Sequence, residues 1–118
     1  MRLGVIHHVS INVGDLPRAI EFYCGTLGLE QIDRPDLRFP GAWLQAGPQQ
    51  IHLLVVPDQQ PPEGQHFAFL SADIDADVAA LRARGVTVSE PRAVPGICRQ
   101  CFLKDPSGNL LELNQPMA

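Results

Sequence analysis

Four residues have the chemistry of metal ligands and a spacing that repeats along the chain. His8 and His66 are 58 residues apart, and His52 and Glu112 are 60 apart. Imidazole nitrogens bind first-row divalent metals, and a carboxylate adds negative charge at such a site. A lone strand histidine is more often a core or surface residue than a ligand, so the hypothesis depends on the repeated spacing. The four residues are therefore candidates to hold one divalent metal ion per chain (Zn, Ni, Fe or Mn).

The elements that would position these ligands also repeat. Asp15 and Asp73 are 58 residues apart, and each precedes apolar residues at helical spacing, so each is predicted to cap a helix. Each half of the chain has the pattern of a strand, a helix and three strands. Strands are predicted at 4–13, 29–34, 42–46, 50–56, 66–71, 86–89, 98–104 and 110–115, and helices at 16–25 and 74–85.

This order predicts an α+β fold of two βαβββ modules, residues 1–56 and 65–118, joined by a proline-containing linker at 57–64. A pseudo-twofold axis would relate the modules, with a cupped mixed sheet and helices on its outer face. Equivalent positions lining such a sheet would converge on the axis and bring the four candidate ligands together. His7 is predicted to be structural, since its counterpart in the repeat is Gln65.

Composition excludes several function classes. The 118 residues suit one domain, and 45% hydrophobic with 19% charged residues is typical of a globular protein. The formal net charge of −4 argues against nucleic acid and anionic membranes as partners. No apolar run approaches a membrane span and no signal peptide is recognisable, so a cytoplasmic location is expected. Cys98 and Cys101 have CxxC spacing within a predicted strand, and we interpret them as two buried thiols.

Four segments carry a family resemblance: HHVSINVGDLPRAIEFYCGTLGLE, GAWLQAGPQQIHLLV, HFAFLSADI and CFLKDPSGNLLELNQ. Together they resemble the vicinal oxygen chelate superfamily, which includes glyoxalase I, extradiol dioxygenases and bleomycin resistance proteins. The resemblance covers nearly the whole chain, and the Asp-Pro-x-Gly-Asn-x-x-Glu pattern at its end is the most specific part. It implies paired βαβββ modules around a metal ion.

The resemblance also implies roles for the candidate ligands. His8 matches the first-strand ligand, His66 the ligand that opens the second module, and Glu112 the last-strand ligand. His52 occupies the position of a Glu in glyoxalase I. The implied chemistry is chelation of two neighbouring substrate oxygens by a Lewis-acidic metal, with Glu112 as proton shuttle and His52 as fourth ligand or base. The expected activity is a glyoxalase-I-like lyase or isomerase reaction on a small oxygenated molecule.

Two positions depart from glyoxalase I, and they leave other family activities open. Asn12 replaces an arginine that serves the glutathione carboxylate, and Val56 replaces an asparagine, so a glutathione adduct is not the expected substrate. An extradiol-type dioxygenase is one alternative, since two histidines and a carboxylate form its metal triad. A non-catalytic protein that binds a drug or metabolite is the other.

Side chains that could contact a substrate are less specific. Arg34, Phe39 and Trp43 lie near the second and third strands, and Arg99 near the seventh. An arginine facing the cup would favour an anionic substrate. Small curved sheets leave edges and apolar surface uncovered, so a homodimer is also predicted.

Overall fold

The computed structural model describes residues 1–117, which divide into two compact units. Unit 1 comprises Met1–Gln60, and unit 2 begins at Pro61. The division therefore falls within the linker predicted at 57–64. Each unit contains four strands and one helical segment in the same order, as the internal repeat predicted.

Unit 1 contains β1 (His8–Val13), α1 (Leu16–Ile20), β2 (Glu30–Ile32), β3 (Gly41–Ala46) and β4 (Gln49–Val55). The strand order is β1-β4-β3-β2, with β1 and β4 parallel and the other neighbours antiparallel. The predicted first strand at 4–13 begins too early, since ladder pairing starts only at His8. After α1, the helix widens into a π-helical turn over Glu21–Thr26.

Unit 2 contains β5 (His66–Leu70), α2 (Ile74–Ala83), β6 (Arg92–Val94), β7 (Cys98–Lys104) and β8 (Leu110–Pro116). Its strand order, β5-β8-β7-β6, repeats that of unit 1, again with one parallel pair. The prediction of two βαβββ modules with mixed sheets is therefore confirmed for the topology of each unit.

The predicted strand at 86–89 is wrong, because the sixth strand forms later, at Arg92–Val94. The amide of Ser89 does donate to the carbonyl of Phe102, but the amide of Phe102 donates to the Ser89 hydroxyl. A side-chain acceptor thus takes the place of a backbone acceptor and interrupts the ladder. Val88 is nevertheless buried, so its apolar character reflects packing and not strand pairing.

Both helices begin as their capping residues predict. Asp15 accepts a hydrogen bond from the amide of Arg18, and Asp73 accepts one from the amide of Ala76, each at 3.1 Å. Neither helix has the length and apolar character needed to cross a membrane. Gly28 and Gly85 follow the two helical segments, and both have φ of 83°, a conformation in which glycine is not strained.

The core of each unit lies between its helix and one face of its sheet. In unit 1, Leu44 and Leu53 project from β3 and β4 and are at most 1% exposed, like Tyr23 from the helical segment. In unit 2, Cys101 and Leu111 occupy the same kind of position. Cys98 is buried as well, and all three cysteines are free, which confirms the interpretation of the CxxC pair as buried thiols. Since side chains alternate along a strand, the candidate ligands project from the other face.

Candidate metal centre

In unit 2, the two candidate ligands His66 and Glu112 are in direct contact. The parallel pairing of β5 and β8 sets Ala68 opposite Glu112, which places His66 two residues along on the same face. His66 Nε2 lies 3.1 Å from Glu112 Oε1. When two ligand atoms each lie about 2.1 Å from one metal ion, and the ligand–metal–ligand angle is between a right angle and the tetrahedral angle, the two atoms are roughly 3.0–3.4 Å apart. The separation of this pair is therefore suitable for a shared divalent ion.

The hydrogen bonds of His66 determine which of its nitrogens is available. Nδ1 lies 2.8 Å from the carbonyl oxygen of Gly64. Because a carbonyl oxygen only accepts, Nδ1 carries the proton, and in the neutral ring Nε2 carries the lone pair. That lone pair faces a carboxylate oxygen. Two acceptor atoms at this distance repel each other unless a proton or a cation lies between them. An Nδ1 bond to a backbone carbonyl is also the usual support of a metal-binding histidine.

Glu112 is a buried carboxylate whose side chain contacts His66 and Asn114. The residue is only 7% exposed and lies between Leu111 and Leu113 in β8, whose side chains project to the opposite, core-facing side. Asn114 Nδ2 donates to Glu112 Oε2 at 2.8 Å, which leaves Oε1 directed at His66. A buried carboxylate is stable only when it is paired with a cation or well hydrogen-bonded, so this environment is suitable for a metal ion.

In unit 1, His52 lies at the centre of a stack of three rings. The His8 ring stacks on one side with centroids 4.0 Å apart, and the Trp43 ring on the other with centroids 4.4 Å apart. The strand registers produce this stack, since Ser10, His52 and Trp43 lie side by side across β1, β4 and β3. The stack restricts the orientation of the His52 ring.

Electrostatics keep His52 in the form that binds metals. Its pKa is lowered from 6.5, first by burial and then by the neighbouring His8, His7 and Arg34. His52 Nε2 lies 2.8 Å from the side-chain oxygen of Gln50, so Nε2 is the donor and Nδ1 keeps the lone pair. A neutral imidazole with one free lone pair is the ligand form of histidine.

The remaining histidine, His7, contacts the candidate ligand His8. His7 Nδ1 and His8 Nδ1 are 2.9 Å apart, and the rings meet edge to face. Its predicted structural role therefore includes orienting His8 through one hydrogen bond. Residues of this supporting kind, such as Gly64, Gln50 and Asn114, were not identified from the sequence. Gln50 and Asn114 could have been found from the sequence, because each lies two residues from a candidate ligand in the same strand and therefore on the same face of the sheet.

The candidate substrate-binding residues have separate environments. Arg34 and Phe39 are in contact, with Arg34 Cζ 4.8 Å from the Phe39 ring centroid, and Trp43 belongs to the ring stack. Arg99 instead forms a two-point ion pair with Asp75 of α2, with N–O distances of 2.7 and 3.1 Å. Arg99 therefore projects to the helix-bearing side of its sheet.

Within residues 1–117, no group of three or more His, Cys, Asp or Glu side chains is arranged to hold a metal ion. The candidate ligands occur instead as two pairs, His8 with His52 in unit 1 and His66 with Glu112 in unit 2. Imidazole nitrogen and carboxylate oxygen, the donor atoms of these pairs, suit a first-row divalent metal. The residues present therefore fit a metal by their chemistry.

Known proteins resemble this chain along almost its whole length. It is 35% identical to lactoylglutathione lyase GLX1 of Arabidopsis thaliana over 121 residues, which cover 92% of this chain and 43% of that protein. The chain thus spans less than half the length of this curated relative. A solved structure of a protein assigned to the glyoxalase family from Bacillus anthracis is 29% identical, with a TM-score of 0.88 and coverage of 99% and 100% of the two chains.

A third similar protein is named for binding and not for catalysis. TnmS3, an antibiotic binding protein from Streptomyces sp. CB03234, is 30% identical, with a TM-score of 0.82 and 99% of each chain covered. The family model described as the glyoxalase/bleomycin resistance protein/dioxygenase superfamily matches residues 5–113. Topology, internal repeat and this match agree, and the chain belongs to the glyoxalase/bleomycin resistance protein/dioxygenase superfamily.

Proposed function

We propose that the chain is a metal-dependent enzyme of glyoxalase type, with lyase or isomerase chemistry on a small oxygenated substrate. The contact between His66 and Glu112 is the observation that carries this proposal. Its two facing acceptor atoms require a proton or a cation, and the similarity to a lactoylglutathione lyase supports the enzyme class. The proposed ligands are His8, His52, His66 and Glu112.

A divalent metal at these ligands would supply Lewis acidity toward two neighbouring substrate oxygens. Glu112 is the proposed proton carrier, because it is the only carboxylate among the four proposed ligands. His52 is the fourth ligand or an auxiliary base, since its neutral form keeps a lone pair on Nδ1. The ring stack would hold that lone pair in a constant direction while the substrate binds.

Metal analysis of the purified chain tests this proposal. We expect about one divalent metal per chain, and loss of most of it in the His66→Ala variant. Gln65→Ala is the control, because it changes an exposed side chain that is neither a proposed ligand nor a hydrogen-bond partner of one. Full metal content in both His8→Ala and His66→Ala would contradict the proposed ligand set.

A glutathione adduct is not the proposed substrate. Asn12 lies on β1 and Val56 directly follows β4, where the resemblance would place an arginine and an asparagine. We expect weak activity with the methylglyoxal–glutathione adduct, and a kcat/KM of about 10⁶ M⁻¹s⁻¹ or more would contradict this. Screening the same metal-loaded protein with catechols tests the dioxygenase alternative. Screening it with acyl-CoA epimers tests another isomerase reaction.

Non-catalytic binding is the second candidate function, and the similarity to an antibiotic binding protein favours it. The two candidates differ in their dependence on metal. Tight binding of one metal per chain supports the enzyme, whereas ligand binding by a metal-free protein without turnover supports the binding function.

We also propose that the chain forms a homodimer. Several large apolar side chains are exposed, among them Leu3, Val5 and Leu70, each more than 80% exposed. Covering such surface favours association. Light scattering at micromolar concentration tests this, and a clean mass of 12.9 kDa would contradict it.

A further inference from the structure

Arg34 contains a buried cationic nitrogen that lacks a partner. Arg34 lies in the connection between β2 and β3, and its Nη2 is buried without a hydrogen bond to any residue in 1–117. Buried polar nitrogens nearly always have a hydrogen-bond partner, and an unpaired charged group is the most costly exception. The side chain therefore requires a partner that the described residues do not supply.

The neighbours of this guanidinium lie against it without accepting a hydrogen bond from Nη2. A Cβ at Gly41 would lie 3.1 Å from Nη2 and 3.2 Å from Cζ, so glycine at this position makes room for the side chain. The contact with Phe39 is a cation–π interaction, which supplies no hydrogen-bond acceptor to the guanidinium. Phe39 is itself half-exposed, and it would offer a flat apolar surface beside the charge.

The guanidinium also lies close to the ring stack of unit 1. Gly41 and Trp43 are two residues apart in β3, so they share a face at a spacing of about 7 Å. Trp43 is paired with His52 across β3 and β4 and stacks on it. A ligand bound to Arg34 would therefore extend toward the stack.

We propose that Arg34 binds a carboxylate of the substrate, whose planar apolar part packs on Phe39 and Trp43. The inference refines the proposed function by naming the substrate class, an organic acid, and it rests on that function for the reaction itself. A guanidinium forms two parallel hydrogen bonds to a carboxylate. One carboxylate balances the single charge of Arg34, whereas a phosphate dianion would bring excess negative charge to a chain with a formal net charge of −4.

Tryptophan fluorescence tests this site directly, because Trp43 is the only tryptophan of the chain. The full chain is titrated after dialysis against a chelator, so that benzoate cannot bind through a metal. Benzoate is expected to give a saturable change with an affinity at least ten times that for benzamide, which has the same shape without the charge. Equal affinities for benzoate and benzamide would contradict the proposal without the use of any variant.

Two variants locate the effect. Arg34→Met is expected to weaken benzoate binding at least tenfold. Arg18→Met removes an equal charge at an exposed position of α1 and is expected to leave benzoate binding unchanged. Circular dichroism verifies that both variants are folded. Wild-type affinity in Arg34→Met would overturn the proposal, and tighter binding of inorganic phosphate than of benzoate would overturn the assignment to a carboxylate.

The same samples separate this inference from the proposed function. Loss of benzoate selectivity in a chain that contains about one metal before dialysis refutes the carboxylate site alone. Benzoate selectivity that depends on Arg34, in a chain that never contains metal, refutes the metal-dependent function alone.

Discussion

The two units place a pair of candidate ligands at the same position of the same topology, yet the pairs differ in chemistry. In unit 1, Ser10 lies opposite His52, and His8 is two residues along. In unit 2, Ala68 lies opposite Glu112, and His66 is two residues along. The backbone geometry is therefore shared. The first pair is two stacked imidazoles, whereas the second is an imidazole facing a carboxylate.

The fold therefore determines where the ligands lie, and the residue type determines their electrostatic role. In unit 1, burial and then the neighbouring His8, His7 and Arg34 lower the pKa of His52, which favours the neutral form of this ring. The pair in unit 2 provides the negative charge that attracts a cation. Unit 2 is thus expected to contribute more to metal affinity than unit 1.

The largest expected effect on metal affinity comes from replacing Glu112 with glutamine, and His52→Gln is the equivalent change in unit 1. Glu112→Gln removes the only negative charge among the four candidate ligands and is expected to weaken metal binding by more than about 100-fold. His52→Gln removes a neutral ligand and should have a smaller effect. Competition with a metal-binding dye measures both, and a larger loss in His52→Gln would reverse the comparison.

A smaller effect is expected from the residues that support each pair. Asn114→Ala removes the hydrogen bond that orients Glu112, and Gln50→Ala removes the one that orients His52. Loss of a supporting hydrogen bond weakens metal binding by about 10- to 100-fold. We expect Asn114→Ala to have the larger effect because it acts on the charged ligand, and the same dye titration measures this. Unchanged affinity in both variants would show that orientation contributes nothing.

The smallest effect concerns an ion pair present in unit 2 alone. The hydrogen bond from Arg99 lowers the pKa of Asp75 from 3.8, and the equivalent position of unit 1 is Pro17. Because the pKa is lower in the folded state, this pair stabilises the fold fully above pH 3.8, and the contribution is lost as the pH falls through the lowered pKa. Urea unfolding should find Asp75→Asn slightly less stable than wild type at pH 6, with a smaller difference near pH 2. An equal difference at both values would contradict the assignment.

Most of the fold was predictable because local signals agreed with the repeat. The caps at Asp15 and Asp73 and the alternation of apolar residues in β3 and β4 are local properties of the chain. The strand predicted at 86–89 was wrong for a nonlocal reason. Its apolar residues satisfied the pattern through burial of Val88, while the Ser89 hydroxyl, paired with the amide of Phe102, interrupted the ladder.

The candidate site was predictable only as a set of residue types in register. The spacings of 58 and 60 placed each ligand on equivalent strands, and the registers of the two sheets agree with that placement. The unpaired nitrogen of Arg34 could not be predicted in this way. Its environment depends on the approach of Gly41 from the next strand and of Phe39 from the loop.

The two βαβββ modules follow from the amino-acid sequence, because capping residues and strand periodicity act over a few neighbouring positions. The sequence also determines which face of each strand carries the candidate ligands, because parity along a strand is fixed by the alternation of side chains. Only the contacts of the folded chain determine which nitrogen of His66 carries the proton, that His52 lies between two rings, and that Nη2 of Arg34 is buried without a hydrogen-bond partner in residues 1–117. Those properties depend on contacts between residues distant in sequence, and strand pairing and packing determine which of these contacts form.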